Sequence, residues 1–195
     1  CNDRSMASIT SLPSGVSGSS LVLISEQTAS SSSTISFTSG IDSTYKEYIF
    51  KFISIHPSAN QKYFQFQGST DGGSNYNTSM TTTFFRAYHN EGGSSAALAY
   101  FDIDQANGTS FQNLAGDIGG DNDQAFCAEL KLFNPSSTTF AKHFLYRGVD
   151  SHHDEQITDG HCGGYFNTTS AINALQFKFS SADIESGTIK LYGVV

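Results

Sequence analysis

Residues 48–55, YIFKFISI, have large apolar side chains at six of their eight positions. Successive side chains of an extended segment point to opposite sides, so Tyr48, Phe50 and Phe52 share one face. The opposite face carries Ile49, Ile53 and Ile55. A strand with apolar groups on both faces is predicted to be covered from both sides.

The same period of two recurs along the chain and predicts the fold class. Further strands are predicted at KYFQFQG (62–68), AELKLF (128–133), LQFKFSS (175–181) and GTIKLYGV (187–194), and weaker ones at 21–25, 33–38, 81–89 and 139–147. Glycine- and asparagine-rich turns separate them. The sequence therefore predicts an all-β, jelly-roll-like antiparallel β-sandwich of about nine strands, with an aromatic core.

Little helix is expected, and one domain accounts for most of the chain. AALAYF (96–101) and TSAINAL (169–175) can each form a turn or two of helix. Residues 1–20 are poor in large apolar groups and are predicted to form a flexible or anchoring arm. Residues 21–195 then form a single sandwich domain, a size that one core can support.

Composition excludes two classes of partner. Only 14% of the residues are charged, whereas 30 are Ser and 17 are Thr, which predicts a neutral, hydroxyl-rich surface. The net charge of -8, without a basic run, disfavours nucleic-acid binding. No stretch approaches the roughly 18 consecutive apolar residues of a membrane-spanning helix, so no membrane partner is expected.

The stretch SHHDEQITDGHC, residues 151–162, is the first candidate for a site. In an extended chain His152 and His153 point to opposite sides, which disfavours their binding one ion together. His153, His161 and Cys162 can instead meet across a loop and bind zinc or nickel. The simpler interpretation is a solvated surface loop, and the order His-His-Asp-Glu departs from the His-x-His pattern of cupin enzymes.

Acidic residues and cysteines give further candidates. Asp117, Asp121 and Asp123 crowd a glycine-rich loop and have the oxygen ligands that calcium prefers, yet the calcium-loop motif is missing. Polar turns are the preferred interpretation, and no cofactor is expected. No nucleophile elbow or phosphate-binding loop occurs. A bridge between Cys127 and Cys162 stays open.

Four longer stretches carry a family resemblance. They are SGIDSTYKEYIFKFISIHP (39–57), FQFQGSTDGGSNYNT (64–78), LKLFNPSSTTFAKHF (130–144) and GYFNTTSAINALQFKFSSADIESGTIKLYGV (164–194). Together they resemble a family of small structural proteins of marine tailed bacteriophages. The resemblance implies a β-sandwich assembled as a homo-oligomer, with a trimer favoured, and displayed on the particle as a fibre, knob or decoration.

The function expected is therefore that of a non-enzymatic structural protein on the surface of a phage-like virion. Its expected partners are copies of itself and other virion proteins, through the loops 71–77, 89–95, 116–123 and 150–163. One alternative is a module that binds host-surface glycans, in which Tyr63, Tyr76, Tyr88 and Tyr100 offer stacking faces and His152 and His153 are further loop contacts. Another is a metal-dependent or carboxylate enzyme that uses residues 150–162.

Overall fold

The computed structural model describes residues 20–195, which contain strands and turns and no helix. In chain order the strands are β1 (Leu21–Thr28), β2 (Ile35–Phe37), β3 (Glu47–Pro57), β4 (Lys62–Ser69), β5 (Met80–Asn90), β6 (Ala96–Tyr100), β7 (Gln112–Ile118), β8 (Phe126–Phe133), β9 (Lys142–His152), β10 (Gln156–Phe166), β11 (Ala174–Phe179) and β12 (Ile184–Val194). The predicted all-β class is confirmed, with twelve strands in place of nine. Residues 1–19 of the predicted arm lie outside the described range.

The strands form two groups that face each other. We call β1-β12-β3-β8-β9-β10-β5-β6 the large sheet and β7-β4-β11-β2 the small sheet. Every pair of neighbours is antiparallel. One residue pair, Ile118 with His152, joins β7 to β9 and so connects the two sheets at one corner.

Phenylalanines from both sheets fill the space between them. The rings of Phe50 and Phe177 have centroids 5.3 Å apart, and those of Phe52 and Phe64 are 5.5 Å apart. These pairs join β3 of the large sheet to β11 and β4 of the small sheet. The alternation that predicted the strands therefore also supplies the two inner faces, and tilted and edge-to-face aromatic contacts hold the two sheets together.

One residue of β3 interrupts the alternation. Ser54 has a positive φ of 50°, and the pairing of β3 with β8 shifts between Phe52 and Ile55. This bulge turns Ile55 to the buried side and leaves Ile53 exposed. The prediction that both faces of this segment are covered is therefore wrong at Ile53, although Ile49 is buried.

Four segments differ from the structures that the sequence assigned to them. The expected helical turn at 96–101 is the edge strand β6, because the turn after β5 returns the chain antiparallel to it. The other expected helical turn, at 169–175, is irregular up to the start of β11. The predicted loop at 116–123 begins inside β7, and the predicted loop at 150–163 is the β9–β10 hairpin.

Residues 101–111 cover the outer side of the small sheet. Gln67 on β4 faces away from the aromatic core as predicted, yet it is buried, since its Nε2 donates to the carbonyls of Thr109 and Ser110. Gln112 is buried as well and donates to the carbonyl of Ile103. These amide hydrogen bonds attach the segment to the sheet and position Phe101 near the site described next.

In the range that the structure describes, no helix is long and apolar enough to cross a membrane.

Candidate functional site

The histidine-rich stretch is a hairpin tip and strand, not the solvated loop that the sequence predicts. β9 extends to His152 and β10 begins at Gln156, with the turn between them and a positive φ of 58° at Glu155. β10 pairs along its whole length with β9 on one side and β5 on the other. Two complete ladders of backbone hydrogen bonds outweigh the weak strand propensity of its glycines.

The predicted ligand set His153, His161 and Cys162 is not brought together. His161 lies five residues after Gln156, the first residue of β10, where it pairs with Arg147 of β9. At the rise of a strand, five residues place His161 about 17 Å from the turn. The His161 ring lies on the outer face, stacked on Phe85 with centroids 4.8 Å apart. Cys162 faces the core. The hairpin therefore keeps these two residues far from the turn that carries His153.

Both cysteines of the described range are free thiols. Cys127 is exposed and Cys162 is buried, so the bridge left open by the sequence does not form. Burial raises the pKa of the Cys162 thiol to about 12. A thiol with so high a pKa stays protonated at neutral pH and is a poor metal ligand or nucleophile.

A different trio does come together at the turn. The chain reverses after His152, so the rings of His152 and His153 lie on the same side, with centroids 4.5 Å apart. Ligand atoms of His152, His153 and Asp154 all lie within 4.8 Å of one another. The two histidines were expected to point to opposite sides, which holds only within a straight strand. His152 is the last residue of β9 and His153 is in the turn, so the expectation is wrong here.

Carboxylates contact both nitrogens of the His152 ring. Nδ1 is hydrogen-bonded to the Asp154 carboxylate, and Nε2 lies 3.7 Å from Oδ2 of Asp117 on β7. The ring is buried, whereas Asp154 is exposed on the turn. His153 approaches Gln61 with its Nε2, at 2.6 Å from the Gln61 Nε2, and its backbone N–H donates to the Asp117 carbonyl.

A cavity of about 360 Å³ opens beside these histidines, and its ionisable lining is acidic. Its carboxylates are those of Glu91, Asp121, Asp123 and Glu155, and its lining contains no Lys or Arg. The three predicted calcium ligands are thus divided, since Asp121 and Asp123 line this cavity and Asp117 contacts His152. Among the described residues, the geometry of a metal-binding group is met by the histidine trio.

A second polar cluster lies deeper, on the inner face of the same hairpin. Asp150 and Thr158 are opposite each other on β9 and β10, and Asp150 is only 3% exposed. Asp150 Oδ1, Thr158 Oγ1 and Arg86 Nη1 are buried without a hydrogen-bond partner. The Arg86 guanidinium lies over the Phe101 ring at 3.9 Å. Burial raises the pKa of Asp150 to about 7, and the positive charge of Arg86 opposes this rise.

The alternation of residues along β9 predicts the burial of Asp150 and His152. Phe144, Tyr146, Asp150 and His152 are all even-numbered residues of β9 and all face inward. Extending the predicted strand at 139–147 by five residues would have placed Asp150 and His152 in the interior. The prediction of a loop at 150–163 does not include this continued alternation.

The tyrosines expected to contact glycans have different surroundings. The hydroxyl of Tyr76 is buried without a partner. The Tyr88 ring has the Arg86 guanidinium 5.3 Å from its centroid. Tyr100 on β6, another tyrosine expected to contact glycans, is 63% exposed.

The outer side of the large sheet carries a group of exposed apolar side chains. We call it the outer apolar face. It comprises Phe85 (β5), Leu98 and Tyr100 (β6), Leu145 and Val149 (β9) and Ile157 (β10), all exposed. Phe85 pairs with Tyr100 on one side and with His161 on the other, so these side chains share one surface. The Arg147–Asp159 ion pair lies on the same surface, between Leu145 and Val149. Gly163 leaves two shallow cavities, of about 480 and 470 Å³, on either side of Leu145.

A comparison with protein-family models and with curated proteins finds no match for the chain.

Proposed function

We propose that this chain is a non-enzymatic structural protein, displayed on the surface of a phage-like virion as a fibre, knob or decoration. It assembles as a homo-oligomer, with a trimer favoured, and its further partners are other virion proteins. A sandwich with a densely aromatic core and a surface rich in Ser and Thr suits a durable exterior protein. The resemblance of four stretches to marine phage structural proteins supports the same proposal.

The observation that carries the proposal is the outer apolar face. Leu98 is 75% exposed and Phe85 is 45% exposed, on adjacent strands of one sheet. Isolated exposed apolar residues are common in monomers, whereas a contiguous apolar surface usually marks an interaction site. Copies of the chain would remove these side chains from water on assembly.

The edge strand β6 supports self-association in particular. Every residue of Ala96–Tyr100 is exposed, and its far edge pairs with no other strand of the described chain. Natural edge strands are usually protected by charged residues, yet residues 92–101 contain none. In a chain of net charge -8, this is a surface where two copies meet without repulsion between like charges.

The test of the virion assignment is the composition of purified particles. Mass spectrometry of particles from the source virus should detect the chain in a fixed ratio to the major capsid protein. Antibodies against the chain should label intact particles in electron micrographs. Absence of the chain from particles that retain full infectivity would refute the proposal.

A further inference from the structure

We propose that His152, His153 and Asp154 bind one divalent transition-metal ion of the zinc type at the tip of the β9–β10 hairpin. This inference rests on the turn geometry and is independent of the virion assignment.

The ligand atoms are already close to the spacing that a metal requires. They lie within 4.8 Å of one another, whereas the ligands of a tetrahedral zinc ion are about 3.3 Å apart at bond lengths near 2.05 Å. The contraction needed is small. Asp154 is exposed on the turn and can make this movement, while the buried His152 ring stays fixed between its two carboxylates.

Neighbouring groups orient the His152 imidazole as they do in known metal sites. A histidine ligand usually binds the ion through one nitrogen and has its other nitrogen held by a carboxylate or another polar group. The Asp117 carboxylate is the partner that holds His152 Nε2. The other ring nitrogen, Nδ1, lies beside the Asp154 carboxylate and is the one that would bind the ion. At His153 the amide nitrogen Nε2 of Gln61 lies 2.6 Å from the ring Nε2, and the ring Nδ1 lies 3.4 Å from the carbonyl oxygen of Asp117, so the ion would take the place of one of these contacts. The ion would replace the proton that now joins His152 to Asp154.

The charge around the trio favours a cation. The adjacent cavity contributes four carboxylates, from Glu91, Asp121, Asp123 and Glu155, and none of its lining residues is Lys or Arg. These groups lie beyond the ligands themselves, and they attract a divalent ion while leaving an open coordination position toward the cavity.

The identity of the donors selects the class of metal. Two imidazoles and one carboxylate suit zinc, cobalt, nickel or copper. Calcium needs about six to eight oxygen ligands, which this turn does not supply. Zinc would fasten the end of β9 to the turn, beside Gln61 and the end of β7, and would therefore order the hairpin tip without any catalytic step.

The experiment is a metal titration of the full chain. The protein is made without a histidine tag, in a Cys1→Ser background so that this cysteine cannot bind metal, and is treated with chelator. Zinc binding is followed by calorimetry, and cobalt binding by its visible absorption. We expect one ion per chain, and a cobalt spectrum in the intensity range of four- or five-coordinate sites.

Matched variants decide whether the trio is the site. His153→Ala and Asp154→Ala should each weaken zinc binding at least tenfold, with unchanged circular dichroism. His143→Ala, a change at an exposed histidine on the same strand β9, should leave the affinity unchanged. Three results would overturn the proposal: no stoichiometric zinc, equal affinity in His153→Ala, or preferential binding of calcium by the same protein.

Discussion

Lys142 is the most deeply buried charged side chain of the described sandwich, with no exposed surface. It lies on the inner face of β9, and its Nζ donates to the carbonyls of Phe140 at 2.9 Å and Thr168 at 3.2 Å. Burial lowers the pKa of its ammonium group. The lysine thus joins the segments that flank the end of the β9–β10 hairpin opposite the histidine trio, and a hydrophobic residue could not do so.

Replacing this lysine should cost stability although the aliphatic volume is preserved. Lys142→Met leaves two carbonyls without their donor, and we expect the free energy of unfolding to fall by about 2 kcal/mol. Urea denaturation measures the change. Lys46→Met, at an exposed lysine, should change it by less than about 0.5 kcal/mol. Equal effects of the two changes would contradict the assigned role of Lys142.

The two cysteines of the sandwich should differ sharply in reactivity. The high pKa of Cys162, near 12, and its burial keep it a neutral thiol between pH 7 and pH 9.5. Iodoacetamide should therefore modify Cys127, which is exposed, and leave Cys162 intact until urea unfolds the protein. Peptide mass spectrometry resolves each site. Modification of Cys162 in the native protein at the rate of Cys127 would show that the hairpin opens readily.

At the scale of the element, glycine decides how β10 fits into the large sheet. Gly163 and Gly164 are adjacent and face opposite sides of the strand. A Cβ on Gly164 would lie 2.7 Å from Thr82 Cγ2 and 2.8 Å from both Phe144 Cζ and the Thr81 carbonyl oxygen, whereas one on Gly163 would meet only Leu145 Cδ2, at 3.5 Å. The inner face therefore requires glycine at 164, and the outer face does not require it at 163.

This asymmetry gives a matched pair of variants. Gly164→Ala should destabilise the protein by about 2 kcal/mol, because overpacking displaces an aromatic ring and a backbone carbonyl. Gly163→Ala should be neutral or stabilise it by up to about 1 kcal/mol, since alanine restricts the unfolded chain. Thermal and urea unfolding report both. If Gly163→Ala destabilises as much as Gly164→Ala, the strand register described for β10 is wrong.

Strands with alternating large apolar residues could be predicted from the sequence, and glycine-rich ones could not. Phe64 and Phe66 on β4, like Phe177 and Phe179 on β11, predicted both the strand and its inner face. β10 has three glycines and mixes polar residues with them, so its strand depends on pairing with β5 and β9. The histidine trio was missed for a related reason: it requires the turn at 153–155, which becomes evident only when β10 is known to be a strand.

The outer apolar face allows a prediction for β5 and β6. The double change Phe85→Lys with Leu98→Lys places two charges on that face and should weaken self-association at least 100-fold, as measured by sedimentation equilibrium. Ile53→Lys is the control, because Ile53 on β3 is 44% exposed, close to the exposure of Phe85, and lies on a distant strand of the large sheet. Equal weakening by the control would place the interface elsewhere.

At the scale of the whole molecule, the two sheets have different roles in this account. The small sheet is covered on its outer side by residues 101–111, whose amide contacts bury Gln67 and Gln112. The large sheet is uncovered over the outer apolar face and ends in the unprotected strand β6. The asymmetry suggests that the large sheet is the side that meets other copies, with the acidic hairpin tip at one end of the outer apolar face, where Ile157 lines the acidic cavity.

The most direct test of this account is the molar mass of the full chain in solution. Light scattering over a series of concentrations, in buffer of physiological ionic strength, should give a mass that is a small multiple of 21.0 kDa, and three times that value for the favoured trimer. A mass of 21.0 kDa at every concentration, including the highest reached, would contradict the claim that the outer apolar face is an assembly interface.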